Sequence, residues 1–377
     1  MAMERVKSAS KRILTFDLMR GWFLLAIIID HIGFFPNGLE WMSARGGLFV
    51  TTAEGFFFIS GLVLGIVRGA KLIDKPFKLV AKLLLKRGVQ LYIWSVLLTL
   101  LFTAITWMFF EHNPNVKQAF LPSTTPIWEV LWRAFTFEYI YGWADYLRLY
   151  AIFLFVSPLV FWLLRKRLWY VVALLSLGVW MMFPNDFNWD YQLQEKFQFL
   201  TWQLIFFVGA IVGFHWNQLT AWWGRLSIVW RRTLITSVLV IGASTLFYNV
   251  MIMFATMGID VSWLGVKAQM QHDFYVGFFD KERMPLTRFG LFLLWFWMFF
   301  YLFHRFEKQI MRFVGWLLLP FGQNSLYVYT IHAFLMYAIH LVWQQGPMWQ
   351  NFLITAGAIG IVRIMIHYNI LMKVIPR

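Results

Sequence analysis

The chain has 377 residues, of which 60% are hydrophobic, 20% are aromatic and only 14% are charged. Soluble globular proteins carry about a quarter charged residues, so this composition excludes a soluble multidomain enzyme and predicts a polytopic membrane protein. The chain has no cysteine, which excludes disulfides, thiolate metal sites and a cysteine nucleophile. The net charge is +15, but the basic residues form short clusters between apolar runs, which disfavours nucleic-acid binding.

Ten predominantly apolar runs predict membrane-spanning helices, because about 20 such residues cross the hydrocarbon core and lipid tolerates no open backbone. The runs are continuous rather than alternating, so a strand-built barrel is not expected. The predicted fold is therefore all-α, a single transmembrane domain over residues 1–377. In chain order the runs cover 14–35, 48–67, 88–110, 146–164, 168–183, 197–214, 234–257, 289–303, 315–343 and 351–373.

The basic residues predict the orientation of this bundle. With ten spans, 22 of the 33 Lys and Arg residues lie on the side of both termini and nine lie on the other. The positive-inside rule then places both termini in the cytoplasm, near anionic lipids. The segment 258–288, with four basic residues outside, is the weak point of this topology. A second outer segment, 111–143, is rich in aromatic residues and is predicted to lie in the membrane interface or to fold back over the bundle.

Ionisable residues inside spans are costly in lipid and therefore mark candidate functional positions. In the first run Arg20 and His31 share one helical face, about 16 Å apart along the axis, and Asp17 lies one turn below Arg20. One interpretation places Asp17 and Arg20 in the interface and His31 at the outer rim. The other is a polar channel across the membrane, with His31 as a general base and Asp30 as a residue that orients it.

The second run begins with an acidic residue about one turn into the membrane. Glu54 is predicted to reach a depth similar to that of His31, or else to be a buried acid paired with Arg45. Small residues further along are predicted to let this helix approach the first one, or to serve packing alone. They are Gly55, Ser60, Gly61 and Gly65.

Polar residues in later spans complete the candidate site. Asn324 and Ser325 open a helix whose N-terminus can face an anion. His332 follows Ser325 by seven residues on nearly the same face, and is either functional or a hydrogen-bonded core histidine. The eight His show no HxxxH or HExxH spacing, so no metal site is predicted. Further polar candidates for substrate binding are Asp145, Trp202 and Gln203.

Five segments occur in an order that resembles the OpgC family, named for the succinyltransferase of osmoregulated periplasmic glucans. They are DLMRGWFLLAIIIDHI, AEGFFFISGLVLG, LRLYAIFLFVSPLVFWLLRKR, WQLIFFVGAIVGF and FGQNSLYVYTIHAFL, and they span nearly the whole chain. This family resembles the acyltransferase family 3 proteins more distantly. The shared hallmark is an Arg, ten residues and a His in the first helix, which Arg20 and His31 match.

The resemblance implies a transmembrane O-acyltransferase of the bacterial inner membrane. It would move a succinyl or acetyl group from cytoplasmic acyl-CoA, a co-substrate rather than a tightly bound cofactor, to hydroxyls of a glucan or other glycan outside. By the same analogy His31 is the catalytic base, Arg20 belongs to the donor path, and Glu54 corresponds to the acid of the AEGFxFxSG segment. Asp17, which can pair with Arg20, is counted with the donor path. Glu54 or Asp30 is expected to stabilise the imidazolium of His31.

Two departures from the family pattern affect these implied roles. Relatives often have Asn-His where this chain has Asp30-His31, and the Arg-x-x-Arg of many family 3 members reads Arg87-Gly-Val-Gln90 here. Lys82, Lys86 and Arg87 could instead hold the phosphates of CoA, because these need positive charge more than one geometry.

Two other classes of protein fit the same residues. A transporter or flippase would use the buried charges as a solute or proton path, although broken helices and repeated halves are not evident in the sequence. A non-catalytic scaffold or receptor is the third. The aromatic segment 128–143 is either an interfacial belt or a wall on which sugars stack. The oligomeric state is open, a homodimer included.

Overall fold

The computed structural model describes residues 13–113, 121–141, 144–183 and 197–375, and in these the regular structure is entirely helical. Each of the ten predicted apolar runs corresponds to helix. The helices are α1 (Leu14–Ile32), α2 (Thr52–Leu64), α3 (Phe77–Ile105), α4 (Ile127–Phe135), α5 (Asp145–Arg165), α6 (Trp169–Met181), α7 (Phe199–Phe214), α8 (Trp216–Arg225), α9 (Ile228–Thr256), α10 (Gln269–Phe278), α11 (Leu286–Arg305), α12 (Glu307–Phe313), α13 (Gly315–Gln323), α14 (Ser325–Val342) and α15 (Met348–His367).

The number of helices that can cross a membrane is smaller than the number of apolar runs. Within the described ranges seven helices are long and apolar enough, or eight if α7 and α8, bent by 65°, form one span. Helix α1 is not among the seven because its 19 residues include Asp17, Arg20 and Asp30. Helix α6 has only 13 residues, which reach about 20 Å. The protein is a polytopic membrane protein, and the count of ten spans and their orientation stay predictions.

Local sequence signals begin and end these helices. A capping box of Thr51 and Glu54 starts α2, and Gly33 ends α1 in the left-handed conformation with φ 64°. Proline precedes four helices, where its missing N–H is not needed. These helices are α3, α4, α11 and α15.

The run 315–343 is not one helix. It breaks at Asn324 into α13 and α14. Helix α13 runs antiparallel to α1 in very close backbone contact, since a Cβ at Gly322 would clash with the carbonyl of Asp17, and one at Gly21 with that of Leu318. Helix α14 then runs parallel to α1. We call the end of the bundle where α1 begins the proximal end, and the end where it finishes the distal end.

The glycines in and just after α2 serve packing, one of the two predicted alternatives, and most of that packing is not against α1. Gly55 does contact α1, through the ring of Phe23. Gly61 and Gly65, however, pack against the backbone of α7, because Cβ atoms there would clash with the carbonyls of Phe206 and Ala210. Helix α2 is therefore held between α1 on one side and α7 on the other.

Candidate active site

Two histidines meet in the distal half of the bundle. His31 near the end of α1 lies beside His332 of α14, with 2.9 Å between His31 Nδ1 and His332 Nε2. His332 is buried, at 1% exposure. The carbonyl of His31 lies 3.0 Å from Nε2 of a third histidine, His340. The ring-to-ring bond needs one proton between two nitrogens. When His31 Nδ1 carries this proton, Nε2 of His31 has the lone pair of a base.

A carboxylate and two tyrosines continue this cluster. The ring of Tyr329 lies 5.4 Å from that of His332, and its hydroxyl donates to Asp145 Oδ1 over 3.3 Å. The same oxygen accepts the backbone N–H of Tyr146 over 2.8 Å. The rings of Tyr146 and Tyr329 are 5.7 Å apart. Asp145 therefore lies one side chain away from the histidine pair.

Glu54 is buried at 0% exposure in an ion pair with Arg288 of α11. Arg288 donates to Glu54 Oε1 from both Nε, over 2.7 Å, and Nη2. The other carboxylate oxygen accepts from the backbone and side chain of Thr51. Arg288 also donates from Nη1 to the carbonyl of Phe279 over 2.6 Å. The pair thus joins the start of α2 to the segment that precedes α11.

The alternative partner of Glu54 is wrong, since Arg45 pairs with Glu40 over 3.0 Å instead. The described hydrogen bonds of Glu54 go to Thr51 and Arg288 rather than to His31. Glu54 nevertheless belongs to the same polar region. Its charge acts on the hydroxyl of Tyr146, as do those of other nearby side chains, Asp145, Glu282 and Arg288.

Trp202 and Gln203, neighbours on α7, lie in two different environments. Trp202 is fully buried between the rings of Phe57 and Tyr146, at centroid distances of 5.3 and 6.1 Å. Gln203 instead binds α6, where Ser176 donates to its Oε1 over 2.6 Å and accepts from its Nε2 over 2.7 Å. Trp202 is thus part of the site, whereas Gln203 joins two helices.

The carboxylate of Asp30 does not bond to Nδ1 of His31, which bonds to His332 instead. The carboxylate faces the short turn Ala44–Gly46, with Oδ2 3.7 Å from where a Cβ of Gly46 would stand. The ammonium group of Lys281 acts electrostatically on both Asp30 and His31. The predicted orienting role therefore fits His332 better than Asp30.

The proximal part of α1 contacts α13 and the start of α14. Arg20 Nη2 donates to Ser325 Oγ at the start of α14. Asn324 donates to the carbonyl of Pro320 over 2.9 Å and so bonds back to α13. Asp17 is 3% exposed beneath the contact with Gly322. The structure therefore brings Asp17 and Arg20 together with the polar break at Asn324, a contact that the helical face of α1 alone did not predict.

The three cations proposed for CoA phosphates do not act alike. Lys82 and Lys86 are exposed on α3. Arg87 is partly buried and donates to Gln90 Oε1 over 2.8 Å. Gln90 stands at the second arginine position of the Arg-x-x-Arg pattern, so the chain replaces a second cation by a hydrogen-bond acceptor for the first.

Four residues of the site were not singled out from the sequence. Arg288 and Lys281 were counted as loop cations, and tyrosines at helix positions carry no signal of their own. The available clue was that Lys281 and Arg288 belong to the segment 258–288, whose four basic residues were the weak point of the predicted topology. The four are Tyr146, Lys281, Arg288 and Tyr329. Among the described residues no group of three His, Asp or Glu side chains could hold a metal ion.

Fold and site define a class: an all-helical membrane protein whose bundle holds a histidine pair, a buried ion pair and a broken helix against α1. Searches of curated proteins and of solved structures gave no significant match. A family model does match: the chain belongs to the OpgC family, described as "OpgC protein", over residues 12–374. Membership indicates an acyltransferase-like role in modifying glucans.

Proposed function

We propose that the protein is a membrane O-acyltransferase that moves an acyl group from acyl-CoA to a hydroxyl of a glucan or other glycan. The observation that carries this proposal is the hydrogen bond between His31 and His332 inside a bundle of the OpgC family. A neutral imidazole held by a second one is suited to take the proton of an alcohol near neutral pH.

The reaction needs one proton acceptor that becomes a donor. His31 Nε2 takes the hydroxyl proton while the oxygen attacks the thioester carbon, which forms a tetrahedral oxyanion. The oxyanion then collapses, the C–S bond breaks, and the imidazolium returns its proton to the leaving thiolate. The products are the ester and free CoA. His332 positions the ring through Nδ1 and shares the positive charge of the intermediate.

The two substrates would arrive from opposite ends. The excess of basic residues favours a cytoplasmic proximal end, so CoA would bind there and the glycan at the distal end, outside a bacterial inner membrane. Lys82, Lys86 and Arg87 begin α3 on the proximal side and would attract the phosphates of CoA. Arg20 and the break at Asn324 lie between this side and the histidines. Whether the acyl group is succinyl or acetyl is part of the test.

Transfer can be tested with purified protein in liposomes of anionic and neutral lipid. Radiolabelled succinyl-CoA or acetyl-CoA is added on one face and a glucan on the other, and CoA release and glucan label are both measured. We expect label from the wild type, and a loss of about 10²-fold or more in His31→Ala. The matched control is His367→Ala, an exposed histidine at the end of α15, which should keep full activity.

One observation favours a second candidate, a transporter or flippase. No helix break is evident in the sequence, but the apolar run 315–343 reverses at Asn324 between α13 and α14 against α1, and interrupted helices form many transport sites. Uptake of a glycan or proton by the same liposomes, with no release of CoA, would support transport and overturn the acyltransferase.

A further inference from the structure

The short segment between α10 and α11 is held firmly in place. Oδ1 of Asp280 accepts the backbone N–H groups of Glu282 and Arg283 over 2.8 and 2.9 Å. The side chain of Glu282 accepts from Gln198 over 2.7 Å, and its carbonyl accepts from Thr201 over 2.8 Å. The segment starts at Phe279, whose backbone carbonyl accepts a hydrogen bond from Arg288. This segment is therefore bound to α7 and, through Arg288 and Glu54, to α2.

Lys281 is one of the two cations in this segment, the other being Arg283. Nζ of Lys281 lies 5.9 Å from the centroid of Trp202, within range of a cation–π interaction. Its charge also acts on His31 and Asp30. Among the described residues, however, the ammonium group forms no hydrogen bond and has no carboxylate within ion-pair distance.

Trp202 supplies a second donor without an acceptor. Its side chain is fully buried, and its Nε1–H has no hydrogen-bond partner among the described residues. Burying such a donor without an acceptor is unfavourable in a folded protein, so its retention needs a reason. Among the described residues two hydrogen-bond donors without acceptors thus lie together. The charge of Lys281 reaches His31. The ring of Trp202 connects to that of His332 through the rings of the two tyrosines of the site. Such free donors are expected where an anion forms only during the reaction.

We propose that Lys281 and Trp202 stabilise the oxyanion formed when the acceptor hydroxyl attacks the thioester. This inference rests on the proposed acyl transfer. As the O–C bond forms, the π electrons of the thioester carbonyl move to its oxygen, which then accepts from Lys281 Nζ and Trp202 Nε1. When the C–S bond breaks, these electrons return to the carbonyl and the negative charge leaves on sulfur. Donors held in place before the reaction stabilise such charge effectively, because they need no reorganisation.

The test compares steady-state kinetics of Lys281→Met, Lys281→Arg and Trp202→Phe with the wild type. Loss of one donor to an oxyanion lowers kcat by roughly 10²–10³-fold, so we expect that loss in Lys281→Met with KM nearly unchanged. Lys281→Arg should recover part of the rate, and ethylammonium should partly rescue Lys281→Ala. Trp202→Phe keeps the ring but lacks the N–H, and should also lower kcat. Lys267→Met, an exposed lysine outside the cluster, is the matched control.

A comparison of two acyl-CoA substrates separates stabilisation of the oxyanion from binding of a substrate carboxylate. Equal losses with succinyl-CoA and acetyl-CoA support the oxyanion, whereas a loss confined to succinyl-CoA and expressed in KM means that Lys281 binds the carboxylate, and overturns the proposal. Full activity of Lys281→Met also overturns it and leaves the acyltransferase intact. If the wild type is inactive with every acyl-CoA tested, both the oxyanion role and the proposed acyl transfer are wrong.

Discussion

The buried ion pair between Glu54 and Arg288 permits a quantitative prediction about stability. The two side chains are 0% and 1% exposed, so neither charge is screened by water. In Glu54→Gln the shape is kept but Arg288 remains as a buried charge without its counter-ion. Such an unpaired charge costs roughly 3–5 kcal/mol.

The chain offers a matched pair near the surface. Arg45 and Glu40 have side-chain exposures of 34% and 19% at a distance of 3.0 Å, and a partly exposed pair contributes about 1 kcal/mol or less. Glu40→Gln is therefore expected to leave the melting temperature almost unchanged. Glu54→Gln should lower it by roughly 5 °C or more.

Fluorescence-detected size exclusion of heated protein in detergent measures both variants. The double variant Glu54→Gln with Arg288→Met should recover part of the lost stability, because no unpaired charge remains. A Tm for Glu54→Gln equal to that of Glu40→Gln would refute the argument. Because Arg288 also holds Phe279 and the segment of Lys281, its loss should lower the rate of acyl transfer as well.

Three further changes test the packing and the site. Gly322→Ala should destabilise the bundle by more than 1 kcal/mol in the same heating assay because α13 lies directly on α1, whereas Gly357→Ala, where a Cβ would meet no atom within 4 Å, should not. His332→Gln should lower kcat at least tenfold with little change in Tm or in KM for acyl-CoA, because an amide cannot share the positive charge of the imidazolium. An unchanged kcat would contradict the positioning role of His332. Arg20→Gln should reduce CoA release more than Ser325→Ala does, because it removes the positive charge as well as the contact with Ser325. Equal effects would show that the contact alone matters.

Apolar run length predicted where helices form, because lipid demands that every backbone group be satisfied within a helix. It predicted less well which runs cross as one helix. The break at Asn324 has only weak local signals, and it is stabilised by glycine contacts between α13 and α1 that join residues about 300 positions apart. The face shared by Arg20 and His31 was predictable, because it needs only the pitch of one helix.

Partners across helices could not be predicted in the same way. The sequence predicted that Glu54 lies in the membrane and that Arg45 is a candidate partner, but in the structure Glu54 pairs with Arg288, 234 positions away. Likewise His31 met His332 rather than its neighbour Asp30. Composition and helical period determine that charges enter the membrane and on which face they lie, since both are local properties. Which charge meets which depends on how helices rotate and pack, and that is decided by close contacts that only the tertiary structure brings together.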